Sequence, residues 1–404
     1  MLKNAEWTIA RDLLLESSRP VESETIPLQS CAGRVLAFDL LVSSDVPLFD
    51  RSAYDGYALR SDDVREASKD HPVVLKITET IPAGSVGSFP VEPGQAAHVM
   101  TGAKIPEGAD CAVMFEKTQF TEADVTLFAP LKLGDNIVRR GEDMRSGSLL
   151  SPCGTRIDAG LAGTLASQGF AHVQVYKKPV IGLISTGSEV IEPGEPLPDG
   201  KIYNTNRFSL TALLEREGCI VQALGLCRDD TEEITRLITR GLRECDAVIL
   251  TGGVSVGDWD VTPEAMDRAG AKVLVRGVSM KPGMACAYGV SEGRLVIGLS
   301  GNPASAMTNF CACVLPSIRR LCGWKNPLPQ PISASLIRRF GKRSPSERFL
   351  RGRLILEDGM VRFDAPADQG NVILSSAIGC DAFVRIPAGS PPVEEGKILT
   401  GFML

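Results

Sequence analysis

The chain has 404 residues, a length that is too great for one compact core and that predicts two to four domains. Its composition, 44% hydrophobic and 23% charged, is ordinary for a soluble globular protein, and a net charge of −6 without blocks of like charge argues against a general nucleic-acid binder. Eleven cysteines at irregular spacing form no metal-binding pattern, which is typical of reduced thiols in a cytoplasmic protein.

The N-terminal segment, "MLKNAEWTIARDLLLESSRP", contains acids and no continuous apolar run. It predicts a short amphipathic helix that ends before Pro20, rather than a signal peptide or a membrane span. No apolar stretch long enough to cross a membrane occurs elsewhere in the sequence. We therefore expect a cytoplasmic protein with no membrane partner.

Residues 46–145 are rich in proline, glycine and β-branched residues, with short runs such as "PVVLKITET" between turns. This pattern is typical of a small β-rich domain. The flanking segments, 1–45 and 146–178, differ in composition and include the helical stretch "DAGLAGTLASQG". The sequence thus predicts a β-rich domain inserted into a region of mixed helices and strands.

From residue 179 onward, the apolar strands "PVIGLIST", "DAVILTGG" and "RLVIGLSGNP" each close on a glycine-containing loop, with helical patterns between and after them. This alternation of buried strands and helices predicts a parallel α/β domain over 179–326. Beyond the proline-rich linker "NPLPQP", residues 327–404 show only short strands and turns, which predict a small β-barrel or sandwich. The fold class is therefore multidomain α/β plus β, in four parts.

Three strand ends of the α/β domain carry distinctive loops, "STGSEV", "TGGVSVGDWD" and "LSGNPASA". Ligands of an open parallel sheet bind outside the carboxyl ends of its strands, and glycine lets the backbone N–H groups approach them closely. Together the loops predict an anion pocket. The candidate binding residues in them are Gly187, Gly252, Gly253, Ser255, Asn302, Pro303 and Ser305.

The second of these loops contains two acids, Asp258 and Asp260, and no lysine or arginine. Glu189 and Asp229 follow strands at the same edge of the sheet, although Asp229 could instead cap the helix that begins at "DTEEI". Carboxylates repel a phosphate unless a divalent cation lies between them, and Mg²⁺ typically takes one or two carboxylates together with phosphate oxygens. We therefore predict Mg²⁺ held by Glu189, Asp229 and Asp260, with Lys281 as the nearest candidate for a direct anion contact.

Seven motifs resemble, in order, those of the molybdopterin molybdenumtransferases, bacterial enzymes related to the E domain of gephyrin. The motifs are "PLFDRSAYDGYALR", "VMTGAKIPEGADCAVMFE", "NIVRRGEDMRSG", "STGSEV", "DGKIYNTNR", "TGGVSVGDWD" and "GNPASA". With the weaker C-terminal "ADQGNVILSSAIGCDAFVRIP", the resemblance covers nearly the whole chain.

The resemblance implies an elongated homodimer, in which 1–45 and 146–178 form a dimerisation domain and the β-rich domain adds to the contact. It also implies that the α/β domain resembles the molybdopterin adenylyltransferases. The active site would lie between that domain of one subunit and the β-rich domain of its partner. A molybdopterin adenylyltransferase is a further partner suggested by the family.

The reaction that the resemblance implies is the Mg²⁺-dependent insertion of molybdate into adenylylated molybdopterin, with release of AMP. Carried over by motif, the catalytic acids are Asp55, Asp143, Glu189, Asp229 and Asp260. The resemblance adds Thr101 as the matching hydroxyl and Arg139 and Arg140 as candidate anion contacts. Asp55 has an alternative interpretation as a turn residue before Gly56.

The sequence departs from the family pattern at three positions. Met284 stands where the family usually has the second lysine of K-P-G-K-P, and Ser300 where it usually has a proline. Gly277 replaces a further lysine, although Arg276 is adjacent. These changes reduce the positive charge expected around an incoming oxyanion, so Lys281 would act there with other groups. The expected additional contacts are Arg351 and a hydroxyl, Ser305 or Ser375.

Three alternatives to this function remain open on the sequence. The first is a non-catalytic dimeric scaffold, which would not need the five acids. The second is an adenylyltransferase, which would not need the residues outside the α/β domain. The third is the same reaction with tungstate, which has the charge and nearly the size of molybdate.

Overall fold

The computed structural model describes residues 1–254 and 261–404. The α-helices α1–α7 are Trp7–Glu16, Ala159–Ser167, Thr205–Arg216, Thr231–Glu244, Thr262–Arg268, Pro303–Asn309 and Leu315–Leu321. The strands β1–β13 are Leu2–Ala5, Ser23–Pro27, Leu40–Leu41, Arg51–Ser52, Gly56–Leu59, Val73–Ile81, Gln95–Val99, Cys111–Met114, Thr118–Phe120, Asp124–Leu127, Ile137–Val138, Leu149–Ser151 and His172–Tyr176. The strands β14–β27 are Val180–Thr186, Val190–Ile191, Ile202–Tyr203, Ile220–Cys227, Ala247–Thr251, Lys272–Val278, Met280–Lys281, Cys286–Ser291, Arg294–Leu299, Pro331–Leu336, Glu347–Glu357, Met360–Asp364, Ala382–Ile386 and Ile398–Met403.

The chain divides into two compact units. Unit 1 comprises Met1–Phe38, Cys153–Ala166 and Phe170–Leu404, and unit 2 comprises Asp39–Pro152 and Ser167–Gly169. None of the helices in the described part of the chain is both long enough and apolar enough to span a membrane.

A seven-stranded sheet forms the centre of unit 1, in the order β1-β19-β21-β22-β18-β14-β17. Side chains alternate across it: Ala247 and Ile249 of β18 face one core, whereas Val248 and Leu250 face the other. Helices α1, α3, α6 and α7 contribute to the first core and α4 and α5 to the second. Burial on both faces explains the continuous apolar runs of these strands and confirms the predicted α/β class.

The sheet is mixed rather than purely parallel, because β21 runs antiparallel to both of its neighbours. Only the turn Glu292–Gly293 separates β21 from β22, and both residues have positive φ, 48° and 81°. A two-residue turn joins antiparallel strands, whereas a parallel pair needs a long crossover. The sheet is parallel where helices connect its strands, from β17 through β14 and β18 to β22.

The predicted N-terminal helix is α1, which ends at Glu16 and buries Trp7, Ala10 and Leu14 along one face. The predicted helix that follows the strand β22 is also present, with a π-helical turn, Phe310–Val314, between α6 and α7. Its two cysteines, Cys311 and Cys313, are fully buried, as expected for small core residues.

The C-terminal strands close into a five-stranded barrel, in the order β24-β25-β23-β27-β26, with β26 paired back to β24. Its interior is filled by apolar side chains such as Leu336, Phe363 and Val384, each 0% exposed. The short strand β20 joins the outside of β24 in parallel. This closed barrel agrees with the sequence prediction and places β20 of the α/β region against the barrel.

Unit 2 is built on a six-stranded sheet in the order β8-β5-β7-β6-β10-β9. Tyr57 and Leu59 of β5 belong to a core on one face, and Ala58 belongs to a core on the other. The β-rich composition of this part of the chain thus produces a sheet with apolar side chains on both faces.

Candidate active site

Unit 1 contains a cavity of about 1030 Å³ at the carboxyl ends of β14, β18 and β22. The strand-end loops predicted to form an anion pocket line it together, as expected for an open sheet whose central strands are parallel. The predicted site residues that line the cavity are Gly187, Glu189, Asp229, Gly252, Gly253, Lys281, Asn302, Pro303 and Ser305. Two others, Ser255 and Asp260, lie outside the described residues.

The loop after β18 requires glycine for a geometric reason. Gly252 has φ of 105°, and a Cβ added to it would lie 2.4 Å from Thr186 Oγ1. The N–H group of Gly252 donates to Leu299 O at 2.9 Å, while its carbonyl accepts from Thr262 Oγ1 at 3.1 Å. The loop is thereby bonded to the end of β22 and to the start of α5, and it lies close against Thr186 at the end of β14, where residue 252 has no room for a side chain.

Both described acids of the predicted metal set lie beside the glycine loops. Glu189 Oε2 would be 2.8 Å from a Cβ added to Gly187, and Asp229 Oδ1 would be 3.7 Å from one added to Gly253. Two carboxylates at the rim of a cavity supply the hard oxygen donors that Mg²⁺ takes, so these residues fit the ion. Among the described residues no group of three acids, histidines or cysteines could hold a metal, and the third predicted ligand, Asp260, is not described.

The alternative interpretation of Asp229 as a helix cap is wrong. The residue that caps α4 is Asp230, whose Oδ1 accepts from the N–H of Glu233 at 2.8 Å. Asp229, one position earlier, is half-buried and lines the cavity. The two adjacent aspartates therefore have separate environments: one stabilises the helix and the other faces the cavity.

Two buried asparagines of the motif "DGKIYNTNR", Asn204 and Asn206, also line the cavity, although the motif predicted no role for them. Asn204 caps α3, accepts from Ser185 Oγ at 3.1 Å and donates to Glu192 Oε1 at 2.9 Å. Asn206 Nδ2 donates to Gly301 O at 2.8 Å. These bonds tie the start of α3 to the end of β14 and to the loop after β22. The sequence signal for them was two asparagines at the start of a helix that follows a strand.

The segment with Lys281 and Met284 forms another wall of the cavity, and both side chains are exposed there. Met284 is 58% exposed, so it offers apolar surface where the resemblance implies a second lysine. Gly277 has φ of 80°, and a Cβ on it would lie 2.6 Å from Asn4 Oδ1. The backbone at position 277 thus disfavours the lysine that the resemblance implies there.

Two predicted oxyanion contacts, Arg351 and Ser375, do not line the cavity. Arg351 is fully buried on β24, where its Nε and Nη2 donate to Ser376 Oγ at 3.0 and 2.8 Å. Burial lowers the pKa of this guanidinium from its ordinary value. The barrel region instead lines the cavity with Ser346, Asn371 and Val372. Asn371 and Val372 belong to the C-terminal motif "ADQGNVILSSAIGCDAFVRIP", which predicted no role for them.

Unit 2 holds the other predicted residues. Asp55 Oδ1 accepts from Thr101 N at 2.6 Å and from Thr101 Oγ1 at 2.7 Å. These hydrogen bonds lower the pKa of the Asp55 carboxyl, to which the nearby charge of His98 adds, so the group is ionised at neutral pH. Residues from two separate motifs are thus brought together on the surface of this unit.

The two predicted anion-binding arginines are already paired with carboxylates. Arg139 Nη1 lies 2.7 Å from Asp50 Oδ2, and Arg140 Nε lies 2.6 Å from Asp45 Oδ2. The fifth predicted acid, Asp143, is exposed, and its N–H group donates to Val46 O at 3.0 Å. None of these side chains lines the cavity of unit 1.

The fold and the cavity define a multidomain α/β protein in which glycine loops and carboxylates meet at one cavity. Three family models match the chain: the MoeA N-terminal region (domain I and II) over residues 6–169, a probable molybdopterin binding domain over 182–320, and the MoeA C-terminal region (domain IV) over 333–400. The chain belongs to the MoeA family.

Individual relatives agree with this family. The molybdopterin molybdenumtransferase of Staphylococcus epidermidis is 35% identical over 380 residues, covering 94% of this chain and 90% of that protein. The Bacillus subtilis protein of the same name is 36% identical, with 93% and 88% covered. The crystal structure of the molybdopterin biosynthesis MoeA protein of Pyrococcus horikoshii OT3 has a TM-score of 0.86, at 30% identity and 100% coverage of both chains. The family, the enzyme class and the role in molybdenum cofactor biosynthesis that the motifs implied are confirmed.

Proposed function

We propose that this chain inserts molybdate into adenylylated molybdopterin and releases AMP. The observation that carries the proposal is the cavity of about 1030 Å³ in which two carboxylates, Glu189 and Asp229, stand beside three glycine loops. Ligand pockets typically enclose about 300–1000 Å³. A cavity just above that range suits a substrate made of two nucleotide-like halves joined by a phosphoanhydride.

Mg²⁺ would be held by Glu189, Asp229 and Asp260, and when bound it would neutralise the charge of the phosphoanhydride. The rim at Gly187, Gly252 and Gly253 presents backbone to the phosphates without side chains in the way. Lys281 also lines the cavity and would supply positive charge for the oxyanion. The substrate is thereby oriented with its anhydride at the acids and its acceptor end toward Lys281.

We further propose that the enzyme is a homodimer, in which Asp55, Thr101 and Asp143 of one subunit serve the cavity of the other. The support is that these motif residues lie in unit 2 and do not line the cavity of unit 1. Unit 2 also exposes large apolar side chains, which mark interaction surfaces when they cluster. Examples are Leu41, Leu48, Tyr54 and Leu149, between 47% and 62% exposed.

The eleven cysteines are free thiols, consistent with the cytoplasm as the place of action. There a molybdopterin adenylyltransferase would supply the adenylylated substrate. Transfer between the two enzymes would keep the reactive dithiolene from free solution.

The test supplies purified protein with adenylylated molybdopterin, Mg²⁺ and molybdate, and measures AMP release and cofactor formation. We expect both products, and we expect chelation of Mg²⁺ to stop their formation. A parallel reaction with tungstate decides whether the oxyanion is selected. AMP release no faster than in a protein-free control would contradict the proposal.

A further inference from the structure

A chain of buried hydrogen bonds runs beside the cavity. The Tyr288 hydroxyl donates to Asn309 Oδ1 at 2.6 Å, and Asn309 Nδ2 donates to Gly283 O at 2.8 Å. Tyr288 and Asn309 are both 0% exposed. Because the Asn309 oxygen is engaged by Tyr288, the amide nitrogen is the end that faces Gly283. Burial holds the pKa of Tyr288 well above its ordinary value, so its hydroxyl remains a donor.

Gly283 rests directly on the helix that carries Asn309. Its φ is 102°, and a Cβ on it would lie 3.0 Å from Asn309 Cβ and 3.1 Å from Ser305 O. Asn309 is the last residue of α6, immediately before the π-helical turn Phe310–Val314, and π-turns inside helices are frequent at functional sites. The close approach leaves no room for a side chain at position 283, and the hydrogen bond from Asn309 Nδ2 holds Gly283 O against the helix.

The residues on either side of Gly283 reach the cavity. Lys281 and Met284 line it, whereas Tyr288 and Asn309 do not. Backbone bonds also hold the segment 279–285 at its ends: Ser279 N donates to Ala5 O at 2.7 Å, and Val278 N donates to Met284 O at 2.9 Å. The hydrogen bond from the Asn309 amide therefore holds the backbone at Gly283, which lies between the cavity-lining residues Lys281 and Met284.

We propose that Asn309, oriented by Tyr288, is a positioning residue for oxyanion binding, because it sets where Lys281 and residue 284 stand in the cavity wall. The inference rests on the proposed function, since the oxyanion is the ligand that this wall serves. Asn309 does not line the cavity, so it acts on the oxyanion through the segment 279–285 and not by direct contact.

The test compares Asn309→Leu, which keeps the volume and removes both hydrogen bonds, with Thr308→Val. Thr308 is the matched control because it is also 0% exposed and its hydroxyl donates only within the helix, to Ala304 O at 2.7 Å. Cofactor formation is followed over a range of molybdate concentrations. Equilibrium binding of adenylylated molybdopterin is measured without molybdate.

For Asn309→Leu we expect the half-saturating molybdate concentration to rise about tenfold, the size of effect expected from one lost buried hydrogen bond. The rate at saturating molybdate and the binding of adenylylated molybdopterin should change less than about threefold, because a uniform binding contact changes KM without kcat. Thr308→Val should change none of these. Tyr288→Phe, which removes one hydroxyl, should shift the molybdate dependence in the same direction, and it replaces Asn309→Leu if that variant does not fold.

A second readout needs no turnover. Hydrogen exchange of a peptide that spans residues 279–286 should be faster in Asn309→Leu than in the wild type and unchanged in Thr308→Val. If the wild type forms no cofactor, the proposed function fails while the exchange comparison still decides the positioning role. Unchanged molybdate dependence in an active Asn309→Leu protein, or an equal shift in Thr308→Val, would overturn the inference.

Discussion

Asp55 and Thr101, 46 residues apart in the sequence, are joined by two hydrogen bonds to one carboxylate oxygen, at 2.6 and 2.7 Å. One donor is the backbone N–H of Thr101 and the other is its hydroxyl. Both favour the ionised carboxylate and lower the pKa of Asp55, with the backbone bond as the larger cause. The pair therefore presents a fixed negative charge at neutral pH.

The first prediction concerns this charge. We expect Thr101→Val to raise the pKa of Asp55 toward the ordinary value of about 3.9, because the hydroxyl donor is lost while the backbone donor remains. An NMR titration of the Asp55 carboxyl carbon measures the shift. An unchanged pKa in the variant would show that the hydroxyl contributes nothing.

The same hydrogen bonds set the sign of a stability effect. A carboxyl whose pKa is lowered in the folded state contributes stability above its unfolded pKa, and loses it as the pH falls through the folded pKa. For Asp55 this window lies below about pH 4.

Turnover should depend on Asp55 more strongly than stability does. Asp55→Ala should abolish turnover and leave the fold intact, as measured by a cofactor assay and by circular dichroism.

A second prediction uses the adjacent aspartates at the start of α4. Asp229→Asn should lower Mg²⁺-dependent turnover by about 100-fold or more, the scale seen when an electrostatic group at a reacting centre is removed. Asp230→Asn is the matched control, since Asp230 caps the helix and asparagine caps as well as aspartate. Asp260→Ala should also abolish turnover with the fold intact.

Asp230→Ala completes that comparison. Loss of the cap should lower the free energy of unfolding by about 1 kcal/mol, with turnover close to that of the wild type. Chemical denaturation and the AMP-release assay measure the two effects. Equal turnover in Asp229→Asn and the wild type would show that Asp229 is not part of the metal site.

A third prediction concerns Met284. Its exposed side chain lines the cavity without charge, so Met284→Lys should tighten molybdate binding about tenfold, equivalent to about 1.4 kcal/mol. AMP release from the phosphoanhydride depends on the carboxylates and should change less. Molybdate titrations of both proteins at limiting oxyanion make the comparison. Identical curves would place residue 284 outside the oxyanion site, and Arg276 would then be the next residue to replace.

A lysine at position 277, the other position where the resemblance implies one, should behave differently from a lysine at position 284. Gly277 has φ of 80°, and a Cβ on it would lie 2.6 Å from Asn4 Oδ1. Gly277→Lys should therefore destabilise the protein by about 1–3 kcal/mol. Thermal denaturation tests this, with Met284→Lys as the control for added charge. A Gly277→Lys protein as stable as the wild type would show that the backbone around position 277 can accommodate a side chain without strain.

A fourth prediction is the oligomeric state. The exposed apolar side chains of unit 2, among them Leu48 and Tyr54, should be covered in a homodimer. Light scattering at micromolar concentration should give twice the mass of the 43.2 kDa chain. A monomer mass would refute the dimer.

The sequence by itself determined the class of the fold and the location of the glycine loops. Strands that alternate with helices must form a sheet that is parallel where helices connect them, so their carboxyl ends lie at one edge. The sequence alone thus predicts that Gly187, Gly252 and Asp229 lie at one site, and the structure places them on one cavity. Local turn chemistry could equally have revealed the antiparallel β21, because "SEGR" encodes a tight turn.

Only the tertiary structure decided which polar side chains reach the cavity. Arg351 carries a charge, yet it is fully buried on strand β24, whereas Ser346 and Asn371 of the barrel region line the cavity. In the sequence, Asn309 and Tyr288 are not distinguished from other core positions. The fold brings them together in a chain of hydrogen bonds that ends at Gly283 O. The physical reason is that side-chain hydrogen bonds depend on distances of about 3 Å between elements far apart in the chain, which periodicity and spacing do not specify.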